Sequence, residues 1–194
     1  MFGDGYAITS IDGALSSSPR VSLTESLGCT DTTVEAFRLS PGESRTLPTD
    51  RETVCVPLDA GGELLAGGTT AVPRHAVARV PPGVEARLRS DAGTDWLAVG
   101  AGMKANFRRL PPGRAVPYHT EGTQEELFVP LGGPGWLRAG GETHRMAAGS
   151  VARVAPATPR AAVNEGDADR VWFMIGTPPT GGPDEWDPGA EAVE

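Results

Sequence analysis

The chain has 194 residues, with 25 Asp plus Glu against 17 Lys plus Arg and a formal net charge of −8. Its 26 glycines and 18 prolines argue against a helical bundle and for short strands joined by turns. The acidic balance leaves no basic stripe for a nucleic-acid backbone, and no apolar run reaches the roughly 20 residues that span a bilayer.

Lys104 is the only lysine among the basic residues. That bias fits either a surface adapted to high salt or the codon usage of a GC-rich genome. At the N-terminus, MFGDGYAITS carries Asp4 and no basic n-region, so no secretory signal is expected and a cytoplasmic location follows. LSSSPR, from Leu15, reads as a loop. SLTESLGC, from Ser22, predicts a short helix capped by Ser22 or Thr24 and stopped by Gly28. Cys29 and Cys55 belong to no CxxC or Cys/His cluster, which predicts two free, partly buried thiols and no structural zinc.

Beyond this point the chain resembles itself. ETVCVPLDAGGELLAGG from Glu52 matches EELFVPLGGPGWLRAGG from Glu125. HAVARVPPGVEARLRS from His75 matches GSVARVAPATPRAAVN from Gly149 at nearly the same offset. WLAVG from Trp96 matches WFMIG from Trp172, and FRLSPG from Phe37 matches FRRLPPG from Phe107. Four blocks in one order predict two copies of one unit of about 70 residues.

Each copy reads as strands. AVARVP and VARVAP space valine two apart, the pattern of a strand with one buried face, and VWFMIG is a continuous apolar run suited to burial on both faces. LDAGGE, LGGPG and AGGE supply glycine turns. Trp136 and Trp172 read as core or cavity wall, His75 and His144 as surface residues, and Cys55 as a buried, inert thiol. The last stretch, from Thr177, carries five acids, no base and four prolines, and predicts an acidic tail either poorly ordered or draped over the barrel through Trp186.

The segment from Gly113, GRAVPYHTEGTQEELFVPLGG, resembles the first cupin motif through Gly113, His119, Glu126 and Gly133, with Glu121 where a second histidine would stand. The segment from Gly149 resembles the second cupin motif through Gly149, Pro156, Pro159 and Asn164, with Arg160 where the third histidine would stand. The chain thus resembles a small two-repeat, bicupin-like cupin of the cupin-2 type, similar to short proteins of haloarchaea and other prokaryotes. The resemblance implies an all-β fold of two jelly-roll repeats. Residues 1–33 would be an N-terminal extension, 34–103 a degenerate repeat, 104–176 the repeat with motif remnants, and 177–194 the tail. In the degenerate repeat the matching places fall on Pro48, Asp50, Thr53 or Cys55, and Ala86, which make no ligand set.

Cupins that carry a metal typically hold it with three histidines and one glutamate, and this chain keeps one of those histidines. The site carried over is His119, Glu121, Glu126 and Arg160. An arginine is always cationic and cannot ligate a metal. A divalent ion about 4 Å away would be repelled by roughly 8 kcal/mol at an effective dielectric of 20. The resemblance therefore implies a small-molecule-binding or non-catalytic module without a resident cofactor, in which Arg160 bridges Glu126 and Glu121 as a charge-assisted fork. The alternative is a metal-dependent dioxygenase or isomerase holding Fe, Mn, Ni or Zn on His119, Glu121 and Glu126. Along the strand, Glu125 and Glu126 point to opposite faces, Glu126 inward and Glu125 to solvent. Burial beside Glu121 is expected to raise the Glu126 pKa, and Arg160 to cancel much of that rise. A small molecule is the expected partner, with neither nucleic acid nor membrane, in a monomer or a homodimer.

Overall fold

Apolar residues that recur at every second position, or fill whole short runs between glycine and proline turns, leave the backbone little choice but strand. The computed structural model describes residues 5–179 and, for the backbone alone, 183–187. In chain order the elements are β1 (Tyr6–Thr9), α1 (Ile11–Leu15), β2 (Arg20–Ser22), α2 (Thr24–Leu27), β3 (Thr33–Leu39) and β4 (Ser44–Thr46). They continue with β5 (Thr53–Pro57), β6 (Gly62–Leu65), β7 (Thr69–Val72), β8 (Ala78–Val80), β9 (Arg87–Arg89) and β10 (Thr94–Gly100). Next come β11 (Lys104–Leu110), β12 (Tyr118–Glu121), β13 (Glu125–Leu131), β14 (Gly135–Ala139) and β15 (Glu142–Met146). The last are β16 (Val151–Val154), β17 (Arg160–Val163), β18 (Arg170–Thr177) and β19 (Pro183–Asp187). No helix among the described residues is long and apolar enough to cross a membrane.

The chain divides into two compact units. One comprises Met1–Ser10, Ser26–Asp31 and Met103–Glu194, the other Ile11–Glu25 and Thr32–Gly102. We call them the C-terminal and N-terminal units. Each is a pair of mainly antiparallel sheets, the double-sheet jelly roll. In the C-terminal unit the sheets run β1-β16-β13-β18-β11 and β15-β14-β17-β12-β19. In the N-terminal unit they run β2-β3-β10-β5-β8 and β4-β9-β6-β7. The continuous apolar runs, β13 and β18 in one unit and β5 and β10 in the other, take interior places in their sheets, where both faces are covered.

The core of the C-terminal unit draws from both of its sheets. Phe128, Val154 and Trp172 come from one, and Leu137, Met146 and Val163 from the other. The N-terminal unit does the same with Phe37, Trp96 and Val80 against Leu88 and Leu47. Both cores centre on a tryptophan with no solvent exposure. Each indole lies against a glycine of the facing sheet, Trp172 on Gly135 and Trp96 on Gly62, so closely that an added Cβ would overlap the ring. At the β14–β15 hairpin, Ala139 stands opposite Glu142. The two residues between, Gly140 and Gly141, have φ of 59° and 88°. That left-handed pair is what a two-residue hairpin turn demands and glycine accepts.

Several local expectations are corrected. The short helix forms as α2 and ends before Gly28, whose φ is 67°. Ser22, however, lies in β2, and the Thr24 hydroxyl accepts from Val34 N at 2.9 Å instead of capping the helix. His75 and His144 are half-buried, and the His75 ring reaches Leu58 O at 2.9 Å. Both cysteines are free, Cys55 fully buried and Cys29 half-buried, and burial pushes each thiol up to about 12. Of the acidic tail, Pro183–Asp187 form β19 beside β12, with Tyr118 opposite Asp187. Residues 180–182 and 188–194 lie outside the described residues, and the expected docking of Trp186 concerns a side chain that is not described.

Candidate functional site

β12 leads through a short turn into β13. Its alternation puts His119 and Glu121 on one face. Glu126, the second residue of β13, points to the same space from the facing sheet. Arg160 opens β17 directly across from His119. The four residues nominated by the motif spacing are thus neighbours in space. The ligand atoms of His119, Glu121 and Glu126 lie within 4.8 Å of one another.

His119 Nδ1 lies 2.8 Å from Pro117 O. A carbonyl only accepts, so Nδ1 carries a proton, and Nε2 faces the cavity and carries a second proton, aimed at Glu126, when the ring is charged. Nε2 is 3.4 Å from Glu126 Oε2 and 3.8 Å from Glu121 Oε1. Burial pulls the His119 pKa down, but the Glu126 hydrogen bond and the Pro117 carbonyl outweigh it and the net shift is upward.

Arg160 has no exposed surface. Its Nε donates to Glu126 Oε2 at 2.8 Å, one terminal nitrogen to Thr158 O at 2.8 Å, and the other to Gln124 O at 3.1 Å. The expected fork between Glu126 and Glu121 is therefore corrected: one carboxylate and two main-chain carbonyls occupy the guanidinium, because the β12–β13 turn and the residues before β17 bring their carbonyls to it. For Glu126, burial is the largest influence and raises the pKa, yet the His119 hydrogen bond and the Arg160 charge together hold it below its ordinary value. The expected rise is reversed.

Glu125 does not face solvent either. It has no exposure, and it accepts from Thr30 N at 3.2 Å, Asp31 N at 3.3 Å and Arg153 Nε at 3.0 Å. The pleat does send it to the opposite face from Glu126, but that face is covered by the Ser26–Asp31 segment. Glu125 fastens that segment to β13 and takes no part in the cavity.

The cavity itself holds about 600 Å3, within the range of small-molecule sites. Its lining includes buried or half-buried His119, Glu121, Gln124 and Glu126, the buried apolar Leu110, Val116 and Met174, and the exposed Lys104, Asn106 and Arg108. Arg160 stands behind Glu126 and is not part of the lining. The motif comparison does not reach the β11 residues. Their signal was present in KANFRRL, where Lys104, Asn106 and Arg108 recur at every second position on one strand face.

Three donors of the kind a transition metal takes do converge here. The fourth place does not fit one, because it is filled by a guanidinium, which cannot ligate a metal and is bonded to Glu126 Oε2.

Residues 106–176 match a family model described as a cupin domain. The fold is that of the cupins. No curated protein shows significant similarity to the chain. Solved structures that resemble it include a putative glyoxylate-induced protein from Pseudomonas aeruginosa, at 14% identity and a TM-score of 0.73, covering 90% of each chain. A salicylate 1,2-dioxygenase from Pseudaminobacter salicylatoxidans aligns at 11% identity and a TM-score of 0.72, over 91% of this chain and 87% of its own. A cupin 2 conserved barrel domain protein from Leptotrichia buccalis aligns at 10% identity and a TM-score of 0.63, over 90% and 91%. At such identities the likeness concerns the fold, which hosts many functions.

Proposed function

We propose that the C-terminal unit binds a small polar molecule in its cavity and does so without a resident metal, Arg160 holding the place of a metal ligand. The observation that carries this reading is the fully buried guanidinium bonded to Glu126 Oε2. It supplies, as part of the chain, the positive charge that a cation would otherwise bring to the carboxylate. His119, with Nε2 towards the cavity, is the polar group that meets the ligand. We also read the two units as copies of one cupin repeat, the N-terminal one without a polar site. The paired Trp–Gly contacts and the matching strand order support that reading.

The second reading, a metal-dependent cupin enzyme, is favoured by the convergence of His119, Glu121 and Glu126. A metal there would polarise a bound oxygen and hold a substrate in place. Metal content separates the two. Protein purified without added metal is expected to carry well under one equivalent of Fe, Mn, Ni or Zn. One full equivalent that disappears in a His119→Ala variant would overturn the first reading in favour of the second.

A further inference from the structure

Gln124 lines the cavity and belongs to none of its ion pairs. It stands in the turn between β12 and β13 and is 3% exposed. Its main-chain carbonyl accepts a terminal nitrogen of Arg160. Its side-chain Nε2 donates to Pro178 O. A carbonyl only accepts, so that bond decides which way round the carboxamide stands. The nitrogen is committed to Pro178, and Oε1 is turned away from it.

The strand register fixes where Oε1 lies. Gly176 is opposite Glu126 in the β13–β18 pair, and opposed residues of antiparallel strands share a face of the sheet. Glu126 faces the cavity, so a side chain at Gly176 would face it too. That place is taken by Gln124: a Cβ added at Gly176 would meet Gln124 Oε1 first, at 3.0 Å. Glycine on β18 thus leaves room for the amide oxygen beside Glu126. Among the described residues, no group donates to Gln124 Oε1. A buried acceptor without a donor is costly, and a fixed one inside a cavity calls for a donor from whatever occupies it.

The amide oxygen carries no net charge, and the charge of its neighbour Glu126 is already answered by Arg160. The group that meets Gln124 is therefore a neutral donor, not an ammonium. Resting on the small-molecule reading above, we propose that Gln124 is a specificity-determining residue of the cavity, and that the ligand is a small hydroxylated molecule whose hydroxyl donates to Gln124 Oε1. An ether of the same shape has no proton to give and leaves the buried oxygen unanswered. A site built to bond a hydroxyl rejects such an analogue.

The test uses the full chain and two readouts, titration calorimetry and the side-chain amide resonances of Gln124. The probes are propanol, propylene glycol, glycerol and lactate, each beside analogues in which a hydroxyl becomes a methyl ether or an amine. At least one hydroxyl probe is expected to shift the Gln124 amide and to bind roughly tenfold or more tighter than its ether and its amine, the scale of one buried hydrogen bond. Gln124→Met keeps the length of the side chain, removes the acceptor and is expected to bring alcohol and ether to equal affinity. Gln124→Glu keeps an acceptor in place and is expected to retain the preference over the ether. If Gln124→Met instead lowers both affinities together and leaves their ratio at the parent value, Gln124 is only structural and its assignment is overturned. If ethers or amines bind the parent as tightly as alcohols, the hydroxyl assignment is overturned while small-molecule binding stands. If no probe of any series binds, both are overturned.

Discussion

The two units solve the same packing problem differently at one place. In the C-terminal unit, His119 lies across from Arg160, and Glu126 lies across from Gly176. In the N-terminal unit, Leu47 N donates to Ala86 O at 3.0 Å, and Thr53 lies across from Gly100. Leu47 and Ala86 are both 3% exposed and belong to the core. The position opposite Ala86 is therefore Leu47, one residue before the Pro48 that the motif comparison suggests. One jelly roll closes with leucine, alanine and threonine; the other closes with histidine, arginine and glutamate. A buried guanidinium costs several kcal/mol unless it is paired and fully hydrogen-bonded. The N-terminal unit closes the same place without a charged group, so closing a jelly roll does not in itself require the charged trio.

The largest test of this contrast is removal of the acid. Glu126→Ala leaves Arg160 buried without its carboxylate and is expected to cost about 3–5 kcal/mol. Thr53→Ala in the other unit should cost about 1 kcal/mol. Urea denaturation of the two variants measures both, and equal costs would remove the asymmetry. The next is compensation. Arg160→Met combined with Glu126→Leu replaces the pair by apolar groups of similar size and is expected to return to within about 2 kcal/mol of the parent. A double variant as unstable as Glu126→Ala would mean that the pair itself holds the barrel.

A third test probes what the units share. Gly135→Ala and Gly62→Ala each push a Cβ into a buried tryptophan ring and are expected to cost about 1–3 kcal/mol apiece, by thermal or urea unfolding. A large effect at one glycine and none at the other would deny the common core. The smallest effect is in titration. Burial lowers the His75 pKa, further helped by Arg74 and only partly opposed by Leu58 O, whereas at His119 the Glu126 hydrogen bond and Pro117 carbonyl outweigh burial. Ring resonances followed against pH should show His75 losing its proton below the ordinary histidine range and His119 above it. The His119 contribution is complete below its unfolded pKa and fades as pH rises through the raised folded value. The Glu126 contribution is present above its unfolded pKa and fades as pH falls through the lowered folded value. His119→Gln should flatten the alkaline side and also weaken the acid side, since the His119 hydrogen bond helps hold Glu126 below its ordinary value.

The fold and all four members of the polar cluster were legible in the sequence because motif spacing and strand alternation are local signals. Glycine turns fixed the hairpins, and the spacing from Gly113 to Gly133 brought out His119, Glu121 and Glu126 together. What stayed hidden depends on residues far apart in the chain. Alternation tells that Glu125 leaves the cavity, but not that Thr30 and Asp31 cover it from nearly the other end of the sequence. The second motif brings Arg160 to the site, but not the two carbonyls that draw its terminal nitrogens away from Glu121. The direction of the Glu126 shift followed from that same geometry, since burial and pairing oppose each other and only distances decide which prevails.

The two adjacent glutamates also bear on how faithfully β13 finds its place. From Leu127 to Leu131 the strand is apolar and buried throughout, so its hydrophobic pattern reads the same after a slip of one residue. Its two carboxylates do not. In the native register Glu125 meets Arg153 on one side and Glu126 meets Arg160 on the other. A slip by one residue would set either Gln124 against the half-buried Arg153 or Leu127 against the buried Arg160, leaving a cation unanswered in each case. The charges at the head of the strand thus act as its alignment key, rejecting mispaired sheets that the apolar run alone would tolerate.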